Sequence, residues 1–347
     1  MKKLHEIDKN FVVDTNINEP DIVFYNVKKN DFCLFGLLYD EKFRRMPEDA
    51  ARNVNEGTLI QHTNTAGGRI RFVTDSPYVA ISVKLPMQQA SPHMPLTGKA
   101  GFDLYENKRF RKMFVPPVDA KDGYDGICKF ETAEKRLITI NFPLYIDVDD
   151  VYIGLCEKAL FEKAPDYECN KKVLFYGSSI TQGACASRPG LAYTNLLSNR
   201  LDFDHINLGF SGSAFGELAM ADYIASVNPD IFVMDYDNNA PTPEFLKETH
   251  EKFYKHYRDL CPNTPIIMVT APTTNFKCGI NWYERRDIIK EIYERALASG
   301  DRNVYYVDGE EFWGERWDSC SVDCLHPNDL GFMLMADRME KTIKPLL

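Results

Sequence analysis

The second half of the chain alternates short apolar runs with longer amphipathic stretches, and this rhythm constrains the fold more than any other feature. The apolar runs, rich in Val, Ile, Phe and Tyr, cover residues 173–176, 204–208, 230–235, 265–270 and 303–307. Helical spacing of apolar residues covers 191–201, 214–227, 243–260, 282–299 and about 328–343. Alternating strands and helices predict a parallel five-stranded sheet with helices on both faces.

The first half of the chain has a different pattern. Apolar and polar residues alternate with a period of two around residues 69–73, 79–85 and 137–142, as in strands with one buried face. Turn-forming residues separate these runs, so we expect an antiparallel β-sandwich. A helical pattern is visible there only around residues 47–54. The apolar pattern is interrupted at 162–172, which predicts a β-sandwich domain over residues 1–165 and an α/β domain over 170–347.

Composition narrows the class of protein and its partners. With 44% hydrophobic and 27% charged residues, the 347-residue chain is typical of globular proteins with a sizeable core. Its net charge of −10 disfavours nucleic acid and anionic membranes as partners. The N-terminus lacks the apolar run of a signal peptide, and the nine cysteines form no repeating framework. We therefore expect a cytoplasmic protein with reduced thiols, or a secreted protein in the form that lacks its signal peptide.

The first predicted strand ends in a serine-rich corner, Gly177-Ser178-Ser179-Ile180-Thr181. Parallel α/β sheets carry their sites at the carboxyl ends of strands, so Ser179 is a candidate nucleophile. The alternative is a serine that caps a helix or stabilises a turn. The Gly-x-Ser-x-Gly elbow of α/β-hydrolases is not met, because Thr181 stands where the second glycine is required.

The next two strand ends offer hydrogen-bond donors. Gly212 follows a Gly-Phe-Ser turn, and a glycine there lets its own N–H approach a ligand closely. Asn238 and Asn239 follow the third strand, where an amide could donate to an oxyanion. Taken singly, an ordinary strand-to-helix turn and an Asx turn explain these residues equally well.

Asp323 and His326 stand three residues apart near the C-terminus, immediately before a proline. At this spacing the carboxylate can accept from one imidazole nitrogen and leave the other free to act as a base. A zinc site of Cys320, Cys324 and His326 would lack a fourth ligand and the usual spacing, so we predict no metal.

Together, the four blocks resemble the SGNH (GDSL-type) hydrolases, in the branch with an extra N-terminal β-domain. The stretch 101–105, Gly-Phe-Asp-Leu-Tyr, resembles the G-x-D-L-Y sequence of that domain. The resemblance implies a flavodoxin-like α/β/α hydrolase domain after a jelly-roll-like sandwich. It departs from the family pattern at Ser178, where an aspartate is usual, and at 237–240, which reads Asp-Asn-Asn-Ala instead of Gly-x-Asn-Asp.

The resemblance also implies residue roles. Ser179 would be the nucleophile, His326 the base and Asp323 its partner. The oxyanion would be held by the N–H groups of Ser179 and Gly212 and by the amide of Asn239, with Asn238 as an adjacent alternative.

The implied activity is a serine esterase that removes short acyl groups, such as acetyl, from carbohydrates, as acetyl-xylan-esterase-like enzymes do, without a cofactor. Alternatives are an acyltransferase to a sugar or small alcohol, and a carbohydrate-binding protein with a vestigial hydrolase domain. Exposed sheet edges would also favour a homo-oligomer. Candidate substrate contacts at the rim of the site are Arg188, Tyr193, Trp282, Trp313 and Trp317.

Overall fold

The computed structural model describes residues 16–39, 42–87, 91–272 and 282–347. The N-terminal half contains twelve described strands, which are β1 (Ile22–Asn26), β2 (Cys33–Phe35), β3 (Leu38–Tyr39), β4 (Phe43–Arg44), β5 (Arg69–Thr74), β6 (Tyr78–Lys84), β7 (Phe102–Glu106), β8 (Arg109–Phe114), β9 (Gly123–Lys129), β10 (Arg136–Asn141), β11 (Asp150–Cys156) and β12 (Phe161–Lys163). In the described part of this half, three short helices interrupt them, α1 (Glu48–Val54), α2 (Glu56–Gln61) and α3 (Leu96–Ala100). The sequence predicted only one helix in this half. Helices α2 and α3 were missed because, at six and five residues, they are too short to show a helical period.

The strands form two antiparallel sheets that share one apolar core. Their orders are β1-β11-β6-β9 and β12-β5-β10-β7-β8, with β2 also paired to β5, while β3 and β4 make a separate hairpin. The core contains buried side chains from both sheets, including Ile81 and Ile153 from the first and Ile70 and Ile140 from the second. This confirms the predicted sandwich.

Strand β5 differs from its prediction because all six of its residues are buried. Its alternate face, which carries Arg69 and Arg71, packs toward the C-terminal half instead of solvent. Arg69 Nη2 lies 2.5 Å from Asp204 Oδ1, and the Arg71 guanidinium lies over the Tyr167 ring at 3.9 Å. Period-two patterning cannot reveal this second burial, because two of the three residues on that face, Arg69 and Arg71, are charged.

The C-terminal half contains a five-stranded parallel sheet in the order β14-β13-β15-β16-β17. Its strands are β13 (Cys169–Gly177), β14 (Phe203–Gly209), β15 (Ile231–Asp235), β16 (Ile266–Val269) and β17 (Val304–Val307). Its helices are α4 (Ser179–Gln182), α5 (Tyr193–Leu201), α6 (Leu218–Val227), α7 (Pro243–Leu260), α8 (Trp282–Ala298), α9 (Glu310–Trp313) and α10 (Asp329–Ile343). This is the flavodoxin-like strand order, and it confirms the predicted fold class.

Helices cover both faces of this sheet, so each face has its own core. The N-terminal half contributes to both cores. Met46 and Ala51, from the start of the α1–α2 hairpin, pack in the core on one face. Ala66 and Leu144 pack in the core on the other. Strand β12 ends at Lys163 and β13 begins at Cys169, so the change of architecture falls between them.

The state of the cysteines and the hydropathy of the helices can be compared with the expectations from sequence. The eight cysteines within the described ranges are all free thiols. Across those same ranges, every helix is too short or too polar to cross a bilayer.

Candidate active site

The corner after β13 places Ser179 at the first position of α4. Gly177 is required there, since a Cβ would lie 2.1 Å from Thr181 Oγ1 and 2.3 Å from the Asp235 carbonyl oxygen. Ser178 is the N-cap, and its Oγ accepts the N–H of Ile180 at 3.1 Å. The capping role therefore belongs to Ser178, which leaves the Ser179 hydroxyl available for other contacts.

Three side chains form a continuous hydrogen-bonded series. Ser179 Oγ lies 3.0 Å from His326 Nε2. His326 Nδ1 in turn lies 2.7 Å from Asp323 Oδ2. The order serine, imidazole, carboxylate is the one expected of a nucleophile, its base and the group that orients the base.

Asp323 is held by the backbone as well as by the ring. Its Oδ1 accepts the N–H groups of Leu325 at 3.1 Å and His326 at 2.7 Å, across a turn in which Cys324 has φ of +65°. Burial alone would raise the pKa of Asp323, but hydrogen bonds and the nearby charge from His326 outweigh it and lower the pKa below its usual value. Asp323 is therefore a carboxylate at neutral pH.

The glycine-rich loop after β14 lies against the nucleophile helix. Gly209 allows this approach, because a Cβ would lie 2.2 Å from the Gln182 backbone nitrogen. The N–H of Ser211 donates to Gln182 Oε1 at 3.0 Å, and Gly212 follows with φ of +64°. Among the described residues, the N–H groups of Ser179 and Gly212 have no acceptor. Both donors remain available to a ligand.

The turn after β15 distinguishes the two adjacent asparagines. Asn239 Nδ2 donates to the Phe210 carbonyl at 2.8 Å, which ties it to the glycine-rich loop. The amide nitrogen and oxygen of Asn238 are buried and have no partner in the described part of the chain. The turn is anchored by Asp237, which lies 2.8 Å from Arg285 Nε and accepts the Ala271 N–H. Asn239, and not Asn238, is therefore the asparagine that contacts the glycine-rich loop.

The N-terminal half reaches the same loops through residues that sequence reasoning missed. Tyr145 donates its hydroxyl to the Ser179 carbonyl at 2.9 Å. Gln61 holds Ser211 at both backbone atoms, accepting its N–H at 2.8 Å and donating to its carbonyl at 2.9 Å. Neither residue belongs to a recognisable motif, and both contacts join positions far apart in the chain. No local pattern could have indicated them.

The predicted substrate contacts need correction. Tyr193 is 1% exposed and donates to Asp235 Oδ2 at 2.7 Å, inside the domain. Trp313 is 3% exposed and packs in the core under α10, and Trp282 is also buried. Trp317 is partly buried against that core. The apolar surfaces of Tyr193, Trp282 and Trp313 are used for packing and are not available as a rim for a sugar. The contact of Trp317 with substrate stays a prediction, because this side chain is only partly buried.

Arg188 is likewise engaged by the protein. Its Nη1 lies 2.8 Å from Asp103 Oδ2 and contacts the Tyr105 hydroxyl. Its guanidinium also stacks over the Phe110 ring at 3.9 Å. Arg188 therefore joins the two halves of the chain, and its contact with substrate stays a prediction.

One group of metal-ligating side chains occurs among the residues that the structure describes, and it is not the one considered from sequence. It consists of His93, Cys185 and His326, whose nearest ligand atoms all lie within 4.8 Å of one another. Burial, with a further contribution from Asp323, raises the pKa of the Cys185 thiol to about 12. Cys320 and Cys324 do not belong to this group.

A hydrogen-bonded serine, histidine and aspartate at the carboxyl edge of a flavodoxin-like sheet are the arrangement typical of a serine hydrolase. The model of the GDSL-like lipase/acylhydrolase family matches residues 170–344, and the model of the N-terminus of SGNH-hydrolase-type esterases, GxDLY, matches residues 22–161. The chain belongs to the GDSL-like lipase/acylhydrolase family and is a carboxylester hydrolase.

Several solved structures have the same fold. A protein described as a GDSL-like lipase from Bacteroides ovatus is 28% identical, with a TM-score of 0.86 over 94% of this chain and 98% of that one. A salicylyl-acyltransferase from a tetracycline biosynthetic pathway is 19% identical, with a TM-score of 0.79 over 95% and 98%. An acetyl xylan esterase from Butyrivibrio proteoclasticus is 13% identical, with a TM-score of 0.60 over 93% and 98%. A comparison with curated proteins finds no match.

Proposed function

We propose that this protein is a serine esterase that removes short acyl groups, acetyl above all, from carbohydrates through Ser179, His326 and Asp323. The observation that carries the proposal is the 3.0 Å contact between Ser179 Oγ and His326 Nε2, with Asp323 on the opposite ring nitrogen. This is the arrangement in which a serine hydroxyl can be deprotonated as it attacks.

The reaction begins when Ser179 Oγ attacks the ester carbonyl carbon and His326 Nε2 takes its proton. Asp323, ionised at neutral pH, accepts from Nδ1 and stabilises the imidazolium that forms. His326 then gives the proton to the leaving alcohol, and the acyl group remains on Ser179. Water, activated by the same nitrogen, releases the acid and restores the serine.

Negative charge develops on the carbonyl oxygen in the tetrahedral intermediate. The N–H groups of Ser179 and Gly212, which have no acceptor within the described ranges, and the amide of Asn239 are the proposed donors. Donors fixed before the reaction stabilise this charge without further reorganisation. The anchoring of the Asn239 turn by the buried Asp237–Arg285 pair supplies that rigidity.

The carbohydrate assignment draws on the fold shared with an acetyl xylan esterase and on the acidic chain, which suits a neutral ester better than a polyanion. We expect acetylated oligosaccharides and p-nitrophenyl acetate to be turned over, with rates falling along a series of longer p-nitrophenyl esters. A preference for long acyl chains would contradict the carbohydrate assignment and indicate a lipid ester.

The nucleophile is tested with Ser179→Ala. Removal of the nucleophile in a triad leaves only a residual rate, so turnover of p-nitrophenyl acetate should fall by more than about 10⁴-fold. A fluorophosphonate probe should label the wild type and not the variant. Ser178→Ala, which removes only the cap, is the matched control and should keep its label. Undiminished turnover by Ser179→Ala would exclude the proposed nucleophile.

Acyl transfer is the second candidate, because a salicylyl-acyltransferase shares the fold over nearly the whole of both chains. Both reactions pass through the same acylated serine and differ only in the acceptor. Measuring how the acyl group partitions between water and an added sugar or small alcohol separates them. Hydrolysis as the main product at high acceptor concentration favours the esterase.

A further inference from the structure

A cluster of possible metal ligands is formed by His93, Cys185 and His326, which come from three separate segments of the chain. His93 lies in the turn that precedes α3 of the N-terminal half, Cys185 follows α4, and His326 precedes α10. One ligand atom from each lies within 4.8 Å of the other two. The His93 and His326 rings have centroids 5.3 Å apart and are tilted by 37°.

These are the ligand types that zinc prefers. Zinc binds imidazole nitrogen at about 2.0–2.1 Å and thiolate sulfur at about 2.3 Å, which places ligand atoms of a tetrahedral site roughly 3.3–3.7 Å apart. The present atoms would have to approach one another by at most about 1.5 Å. The exposed His93 can make that movement, because it lies in a surface turn.

The other two ligands are already fixed. Cys185 is buried beside Met94 and Ala184, and its N–H donates to the Pro327 carbonyl at 2.9 Å. That bond ties Cys185 directly to the residue after His326. Only one of the three ligands would therefore lose much side-chain freedom on binding.

Asp323 lies outside the cluster but orients one of its ligands, His326. A metal-ligating histidine usually donates its other ring N–H to a carboxylate, which fixes the tautomer and makes the ring a better ligand. Asp323 Oδ2 already lies 2.7 Å from His326 Nδ1. The nitrogen left for a metal is Nε2, which is the one that faces Ser179.

We propose that His93, Cys185 and His326 form a zinc site that inhibits the enzyme. Zinc on His326 Nε2 occupies the lone pair that must accept the Ser179 proton, so the bound form cannot attack an ester. Cys185 binds as the thiolate and releases its proton to solvent, since coordination deprotonates a thiol. Water or Ser179 Oγ takes the fourth position. Inhibition rests on the proposed function, whereas zinc binding does not.

Binding is measured first, in the Ser179→Ala background, by competition with a chromophoric zinc chelator. We expect one zinc per chain, and affinity reduced by more than about tenfold in Ser179→Ala/His93→Ala and Ser179→Ala/Cys185→Ser, because even outer partners of a metal contribute roughly 10–100-fold. Cys324→Ser in the same background is the matched control, since Cys324 is an exposed thiol two residues from His326. Equal affinity in all four proteins, or a loss confined to Cys324→Ser, overturns the site.

Activity is measured second, with wild type and His93→Ala hydrolysing p-nitrophenyl acetate across a zinc titration. Zinc should inhibit the wild type reversibly, with full recovery on adding EDTA, and His93→Ala should need more than about tenfold more zinc. Equal sensitivity of the two proteins overturns the inhibitory role. An inactive wild type would refute the proposed esterase instead, while the binding measurement would still decide the zinc site.

Discussion

At the scale of single residues, Asn238 and Asn239 show how much a one-position shift matters. Their chemistry is identical, and the sequence pattern allows either to follow β15 as the oxyanion donor. Their partners differ, because Asn239 donates to the Phe210 carbonyl whereas the Asn238 amide is buried without one in the described structure. This contact with the glycine-rich loop is the reason we propose Asn239 as the donor.

Asn239→Ala should therefore lower kcat for p-nitrophenyl acetate by about 10²–10³ with little change in KM. An oxyanion donor acts on the transition state and hardly at all on bound substrate. Asn238→Ala is the matched control and should keep kcat within a few-fold of the wild type. Steady-state kinetics of both variants decide the matter, and a larger kcat loss in Asn238→Ala would reverse the assignment.

Local spacing predicted contacts between residues close together in the chain, whereas the contact of Ser179 with His326, 147 residues away, was implied only by the family resemblance. Prediction failed for side chains whose surroundings come from distant parts of the chain. Asp323 and His326 are three residues apart, so their contact follows from local spacing. Tyr193 and Trp313 looked like rim residues, because aromatic side chains occur both in cores and at sugar sites. Only the packing of α5 and α10 on the sheet shows that both are buried.

At the scale of elements, strand β15 ends in a carboxylate deep in the protein. Asp235 is 1% exposed, and its Oδ2 accepts hydroxyl hydrogen bonds from Tyr193 at 2.7 Å and Thr181 at 2.8 Å. Burial is the main influence and raises the pKa of Asp235 to about 7, with the hydroxyl donors opposing it. Between about pH 4 and pH 7 the folded protein therefore holds a proton at this strand end that the unfolded chain has lost.

This proton makes stability depend on pH. Because the folded pKa is the higher one, the contribution of Asp235 is fully present below about pH 4 and is lost as pH rises to about 7. Asp235→Asn removes this dependence, so its free energy of unfolding relative to the wild type should rise by up to about 4 kcal/mol over that interval. Urea unfolding at several pH values measures it, with the exposed Asp119→Asn as control. A constant difference would contradict the shift.

Elements were predictable in proportion to their length and periodicity. All five parallel strands and the five long helices followed from the sequence, since each buries a stripe or run of apolar residues. The short helices α2 and α3 did not, because they are held by contacts made elsewhere. Asn55, for instance, accepts the Thr58 N–H as the cap of α2 and also donates to the Ser213 carbonyl, over 150 residues away.

At the scale of the whole molecule, the two halves are joined by buried polar contacts. Asp103, in the Gly-Phe-Asp-Leu-Tyr stretch, is completely buried and accepts from Asn141, from Arg188 and from the N–H of Gly190. Burial raises the pKa of Asp103, and Arg188 is the strongest opposing influence. The stretch that marked the N-terminal half in the sequence therefore holds the loop between α4 and α5.

Breaking this pair should destabilise the whole protein. Asp103→Ala and Arg188→Ala should each cost about 3–5 kcal/mol of unfolding free energy, because each leaves a mostly buried charge without its partner. The double variant should lose less than the sum of the two, as expected for residues in direct contact. Lys135→Ala, which breaks an exposed pair with Glu162, is the control and should cost less than about 1 kcal/mol. Denaturant unfolding of the four variants measures these effects, and strict additivity would show that Asp103 and Arg188 act independently.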